Sequence, residues 1–425
     1  MAEPEAPQES EAKSFGRGEL VWLLVALVLF AAAGVVYWRR QAEPASIAES
    51  EPAPEPPPPV GDQTETVVAD DGRFLAIGKI DVHVHIPASL IPPGAGLLRR
   101  YGIHLAFNAS GGSPDRSLQR SAAVGAEHGV LAYCFMDWEN AGDPNWNPRA
   151  TLDACKAQGA FGVKISKALG LGYLIDDDLL AVDDPRLDDA FEYMGELGFP
   201  VLIHTGDPKA FFEPPTEENE RFDELSVHPG WSFYGPRPDG GQWPSWRELL
   251  RQFEARVARH PGTTFIGAHF GNAPEDPDFV ASMLERFPNY VVETGARVPE
   301  IGRHDADRMH DFFVRFQDRV LFGTDFQVNP GGLVLGSAGR RLAGLSDVAP
   351  FLESHWRYFE TRDEDFAHPT PIQGDWTIDG VGLPEPVLRK IYRDNALRVF
   401  GLRCTDDSCE TITRVGDEAP TDATL

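Results

Sequence analysis

Four short stretches of the 425-residue chain place histidine or aspartate at the end of an apolar run: IDVHVHI at His83 and His85, VLIHTGD at His204, FIGAHFGN at His269 and VLFGTDF at Asp325. Taken alone, each has an ordinary explanation. His204 or His269 can be a satisfied core histidine, Asp325 can cap a following helix, and one HxH pair in a strand is weak evidence. Their recurrence at four run ends is hard to explain without a cation. Neutral imidazole nitrogens and a carboxylate oxygen suit Zn²⁺ or Mn²⁺, with a position left open for water or substrate. His83, His85, His204 and Asp325 are therefore expected to hold one divalent cation, zinc ahead of manganese. Such an ion lowers the pKa of its water from about 15.7 to about 7. His269 is the natural general base or electrophile, because imidazole titrates in the useful range. Asp325 is expected both to ligate the ion and to accept a proton.

These residues need a frame that brings run ends together. From about residue 75, short runs rich in Val, Ile and Phe alternate with amphipathic stretches such as DDPRLDDAFEYMGELG, SWRELLRQFEARVARHPG and DADRMHDFFVRFQDR. That alternation predicts repeated βα units. Strands are expected at Ile77–Ile86, His104–Ser110, Gly129–Asp137, Phe161–Lys167, Pro200–Gly206, Thr263–Gly271, Asn289–Arg297 and Val320–Gln327. Eight such units point to an α/β chain folded as a (β/α)8 TIM-type barrel over residues 75–402, whose catalytic groups lie at the C-terminal strand ends. A doubly wound sheet would carry a Gly-rich loop after its first strand; HVHIPAS stands there, and no GxGxxG occurs. His83 and His85, two apart on a strand, share a face and can approach one ion.

In these motifs, with IDVHVHI, DDPRLDDAFEYMGELGFPVLIHTGDP, TTFIGAHFGN and RVLFGTDF spread over residues 78–402, the chain resembles the amidohydrolase superfamily. The branch it resembles contains metal-dependent hydrolases and aromatic-acid decarboxylases. The resemblance implies that His83, His85, His204 and Asp325 hold one catalytic cation, with His269 beside them as the proton-handling group. Binuclear members use a carboxylated lysine on strand 4, where this chain has Lys164 in GVKIS, so a second metal stays open. The plainer reading makes Lys164 a substrate contact or a buried ion-pair member. Arg297 is expected either to clamp a substrate carboxylate or to neutralise Glu293. Asp137 and Trp138 also fall on the catalytic side. The long connection after strand 5 carries Phe211, Phe212, Trp231, Phe233 and Tyr234, and its length suits a lid.

Three functions compete. The first is a metal-dependent hydrolase of a small ester, lactone or amide. The second is a non-oxidative decarboxylase of a cyclic or aromatic acid, and CO₂ release would separate the two. A non-catalytic binding module should have lost a ligand or His269, and none is missing.

Ahead of the barrel, a polar segment (1–19) precedes LVWLLVALVLFAAAGVVYW at 20–38, long enough for a hydrocarbon core of about 30 Å and flanked by aromatics. It is expected to be a retained single-pass anchor, followed by a Pro/Glu-rich spacer at 39–74. Flanking basic residues balance, so orientation rests on the spacer and on the tail (403–425), where Cys404 and Cys409 either close a small disulfide loop or stand as two exposed thiols; spacer and tail tilt toward an extracytoplasmic catalytic domain. Cys134 and Cys155 lie in apolar segments and are expected as buried thiols. The net charge of −28 repels phosphate backbones and makes nucleic acid an unsuitable partner. A small-molecule substrate is expected, and a homodimer is left open.

Overall fold

The computed structural model describes residues 76–404 apart from Asp207, with the backbone of 412–414. The expected anchor at 20–38, its spacer, Cys409 and most of the tail lie outside the described residues. Among the described residues no helix is long and apolar enough to cross a membrane.

Strands β1 (Lys79–His85), β2 (Ile103–Asn108), β3 (Val130–Cys134), β4 (Gly162–Ile165), β5 (Val201–Ile203), β6 (Phe265–Gly267), β7 (Tyr290–Glu293) and β8 (Val320–Leu321) pair in parallel, each with the next. The segment after β8 returns to β1: Val82 N donates to Phe322 O at 3.0 Å, and Phe326 lies in register with Val84. A TIM-barrel-like α/β fold results. A hairpin of β9 (Phe326–Asn329) and β10 (Gly332–Leu335) then extends beyond the ring.

Helices follow the strands: α1 (Ile91–Arg99), α2 (Leu118–His128), α3 (Pro148–Ala157), α4 (Asp188–Glu196), α5 (Trp246–Arg259), α6 (Pro277–Arg286), α7 (Ala306–Arg315) and α8 (Val348–Glu360). Their starts are set locally. The side chains of Asn147, Ser245, Asp276 and Asp305 each accept an amide hydrogen bond from the first turn of α3, α5, α6 and α7. Alternation along the strands sorts the core. Leu105, Phe107, Leu131, Tyr133, Leu202, Ile266, Val291 and Leu321 belong to an inner cluster against which Phe400 packs, stacked on Phe107, while their neighbours pack outward on the helices.

Every expected strand ends early, and β6, β7 and β8 do so by four residues or more. β6, β7 and β8 stop before His269, Ala296 and Asp325, each of which has φ between 54° and 58°. Left-handed backbone at non-glycine residues costs about 1–3 kcal/mol and persists only where surroundings enforce it. Here the turned backbone aims the site residues. The cysteines also depart from expectation: Cys134 and Cys155 are buried but joined as a disulfide between the end of β3 and α3, not free thiols. Their segments are adjacent βα partners, 21 residues apart, which apolar character alone does not reveal. Cys404 is disulfide-bonded as well.

Candidate metal centre

β1 delivers His83 and His85, with ring centroids 5.2 Å apart. Asp81 fixes this strand end by accepting the amides of His83 (3.0 Å) and Thr324 (3.2 Å) and the Thr324 hydroxyl (2.5 Å). Burial pushes the Asp81 carboxyl up to about 7. Thr324 precedes Asp325, so one buried side chain registers both segments that carry candidate ligands. Asn108 does similar work for the loop after β1, accepting the amides of Ile86 and Ser110 and donating to Ile86 O.

Each histidine of β1 is oriented through Nδ1. His83 Nδ1 lies 3.0 Å from Glu293 Oε1, and His85 Nδ1 lies 2.7 Å from Ser110 Oγ. Their Nε2 atoms therefore face Asp325 Oδ1, at 3.8 and 3.3 Å. That oxygen is buried and accepts no hydrogen bond, and one ligand atom from each of the three residues falls within 4.8 Å of the others. Two nitrogens converging on a carboxylate oxygen without bonding to it, each held from behind, is the arrangement expected of ligands sharing a cation. Burial, helped by His83 and Lys164, drives the His85 pKa well below its ordinary value, so the ring is neutral and its lone pair available. Burial raises Asp325, with His83 and Lys164 opposing. These groups fit a divalent cation.

His204 and His269 stand as a pair beside this triad. Nδ1 of His269 lies 2.8 Å from Gly295 O and must donate there; its Nε2 is then an acceptor, 3.2 Å from His204 Nδ1. His204 accordingly carries its proton on Nδ1, which leaves Nε2 in the form a metal ligand requires. The rings of His83 and His269 are 5.0 Å apart.

Glu293 ties the two halves together. It accepts from His83, from the His269 amide at 2.7 Å and from the Gly295 amide. Burial opposes its charge, yet His83 and those amides prevail and its pKa falls. Side chains at Gly295 or Gly323 would run into this carboxylate, so both positions must be bare. Lys164, buried on β4, brings Nζ to 3.4 Å from His83 Nε2. Arg297 is buried and donates to Ala296 O, and its charge acts on Asp325.

The connection after β5 folds back over the C-terminal strand ends. Lys167, just beyond β4, lies 4.9 Å from the Phe211 ring, 5.5 Å from Trp231 and 5.7 Å from Phe233. Arg221, paired with Glu224 within the same connection, pins it to the segment after β7 through a buried ion pair with Glu300. Tyr234 is exposed. Asp137 accepts from Trp146 and Asn140 within its own loop, and Trp138 stacks on Phe191 of α4. Sequence reasoning did not find Ser110, Asn108, Asp81 or Thr324. The polar Asp81 inside IDVHVHI was the one available signal.

Fold and site together define a barrel enzyme with a metal-binding cluster at the strand ends. The family model described as Amidohydrolase matches residues 80–402, and the chain belongs to that family of metal-dependent enzymes. No curated protein matches it. Among solved structures it is similar to a 2,6-dihydroxybenzoate decarboxylase complexed with 2,6-dihydroxybenzoate (16% identity, 76% of this chain and 99% of that one, TM-score 0.43). It is similar to a putative 2-pyrone-4,6-dicarboxylic acid hydrolase from Pseudomonas putida (14%, 77% and 98%, 0.43). A dihydroorotase from Campylobacter jejuni is a further likeness (13%, 78% and 85%, 0.42). Those activities belong to those proteins, and the family assignment rests on the sequence match.

Proposed function

We propose that the chain is a metal-dependent hydrolase of a small ester, lactone or amide, using one divalent cation, zinc ahead of manganese, held by His83, His85, His204 and Asp325. The observation that carries this reading is the convergence of His83 Nε2, His85 Nε2 and Asp325 Oδ1, with His269 alongside. A divalent cation there would supply Lewis acidity and an acidified water. The residues do the rest. Asp325, its pKa raised by burial, can take a proton. His269 can take a proton only at Nε2, the nitrogen that His204 Nδ1 faces at 3.2 Å, because Nδ1 is committed to Gly295 O. Lys164 and Arg297 face substrate with positive charge, and the aromatic connection after β5 excludes water.

A second reading is non-oxidative decarboxylation of a cyclic or aromatic acid, favoured by the Lys164 ammonium inside the cluster, which suits a substrate carboxylate. A panel of lactones, esters, amides and aromatic acids, assayed for ring opening or acid release and separately for CO₂, tests the proposal. Turnover without CO₂, lost in His269→Asn, is expected; CO₂ release establishes the second reading instead. The segment at 20–38 is proposed as a single-pass anchor and the catalytic domain as extracytoplasmic, which the Cys134–Cys155 disulfide supports.

A further inference from the structure

Beside the hairpin that follows Asp325 lies a groove of about 520 Å³, within the range of about 300–1,000 Å³ typical of small-ligand pockets. Leu333, Leu335, Phe351 and Ile372 give it apolar walls. Its polar groups can be accounted for one by one. Ser337 donates to Glu224, Ser354 donates to Pro350 O, and Asp347 accepts the Gly344 amide. His368 uses both ring nitrogens, Nε2 toward Gly374 O and Nδ1 toward the Thr370 amide, and burial lowers its pKa, so it is neutral. Besides the Asp347 carboxylate, whose Oδ2 takes the Gly344 amide, two groups are left. The Thr370 hydroxyl is buried, with the residue 2% exposed, and has no hydrogen-bond partner. Gly336, between groove residues Leu335 and Ser337, packs against it; a Cβ there would come within 2.7 Å of that oxygen. Arg341 is the groove's cation, and among the described residues it has no ion-pair partner. The lip carries Leu342 and Leu345, which are 38% and 72% exposed.

We infer that this groove is a second ligand site, for a small anionic amphiphile: a carboxylate or sulfonate held by Arg341, with an alkyl or aryl body along the apolar walls and a hydrogen bond to Thr370. The site is separate from the metal centre but mechanically next to it. Leu335 pairs across the hairpin with Phe326, the residue after Asp325.

The test is photolabelling of the full chain in lipid nanodiscs with a diazirine-bearing octanoate, followed by peptide mapping. Adducts between residues 333 and 372 are expected, about tenfold weaker in Arg341→Ala and weaker in Thr370→Val. The matching neutral octanamide should label this region poorly. Adducts confined to peptides around His83 and Asp325, or to 20–38, overturn the inference. So does groove labelling that is equal for the amide, or unchanged in Arg341→Ala.

Discussion

Glu293 Oε1 stands 3.0 Å from His83 Nδ1, and the same oxygen accepts the His269 amide at 2.7 Å. One carboxylate thus orients a candidate ligand and positions the candidate proton carrier. Replacing it with an amide keeps the shape but removes the charge that holds His83 in its Nδ1–H form. Glu293→Gln should weaken metal affinity by about 10–100-fold, measured by competition with a chelator.

His269 has a different signature. His269→Asn should retain metal, because the Nε2 atoms of His83 and His85 face Asp325 without it. General acid–base groups contribute about 10²–10⁴-fold to rate, so kcat on an accepted substrate should fall within that range while KM changes little. Comparable losses of metal and activity would instead make His269 a structural support.

The Cys134–Cys155 bridge closes a 21-residue separation, for which chain-entropy arguments give about 3 kcal/mol of stabilisation. The double variant Cys134→Ala, Cys155→Ala should lose about that much in denaturant unfolding. In intact cells, these thiols should resist alkylation until a reductant is added if the domain faces an oxidising compartment; immediate alkylation would place it in a reducing one.

Acid stability should depend on His355, which is buried in α8 with Nδ1 toward Phe351 O. Burial lowers its pKa from 6.5 to about 4. Between those values the unfolded chain takes up a proton that the folded chain refuses. Stability from this residue is therefore complete above 6.5 and lost as pH falls toward 4, by about 2–3 kcal/mol near pH 4.5. His355→Phe should lose correspondingly less between pH 7.5 and 4.5 than the parent, which carries the same metal site.

The barrel and the strand ends that carry the candidate ligands were legible because they are local: apolar runs finished by histidine or aspartate need no partner to be recognised. What was not legible depends on distance in the chain. Asp81 meets Thr324 243 residues away, and His83 meets Glu293 at a separation of 210, so neither role shows in a motif. The early ends of β6, β7 and β8 arise because His269, Ala296 and Asp325 adopt left-handed backbone, which no strand propensity encodes. The disulfide was missed for the same reason as Asp81, since only the packing of α3 against β3 brings the two sulfurs together.

The central claim is that His83, His85, His204 and Asp325 bind a divalent cation. Elemental analysis of the full chain, beside a folded variant with His85→Ala and Asp325→Ala, tests it most directly. About one zinc or manganese per chain, absent from the variant, is the expected result. Two per chain would bring in Lys164 as a bridge. Folded protein that takes up no metal when divalent ions are supplied, or equal metal in the variant, would contradict it.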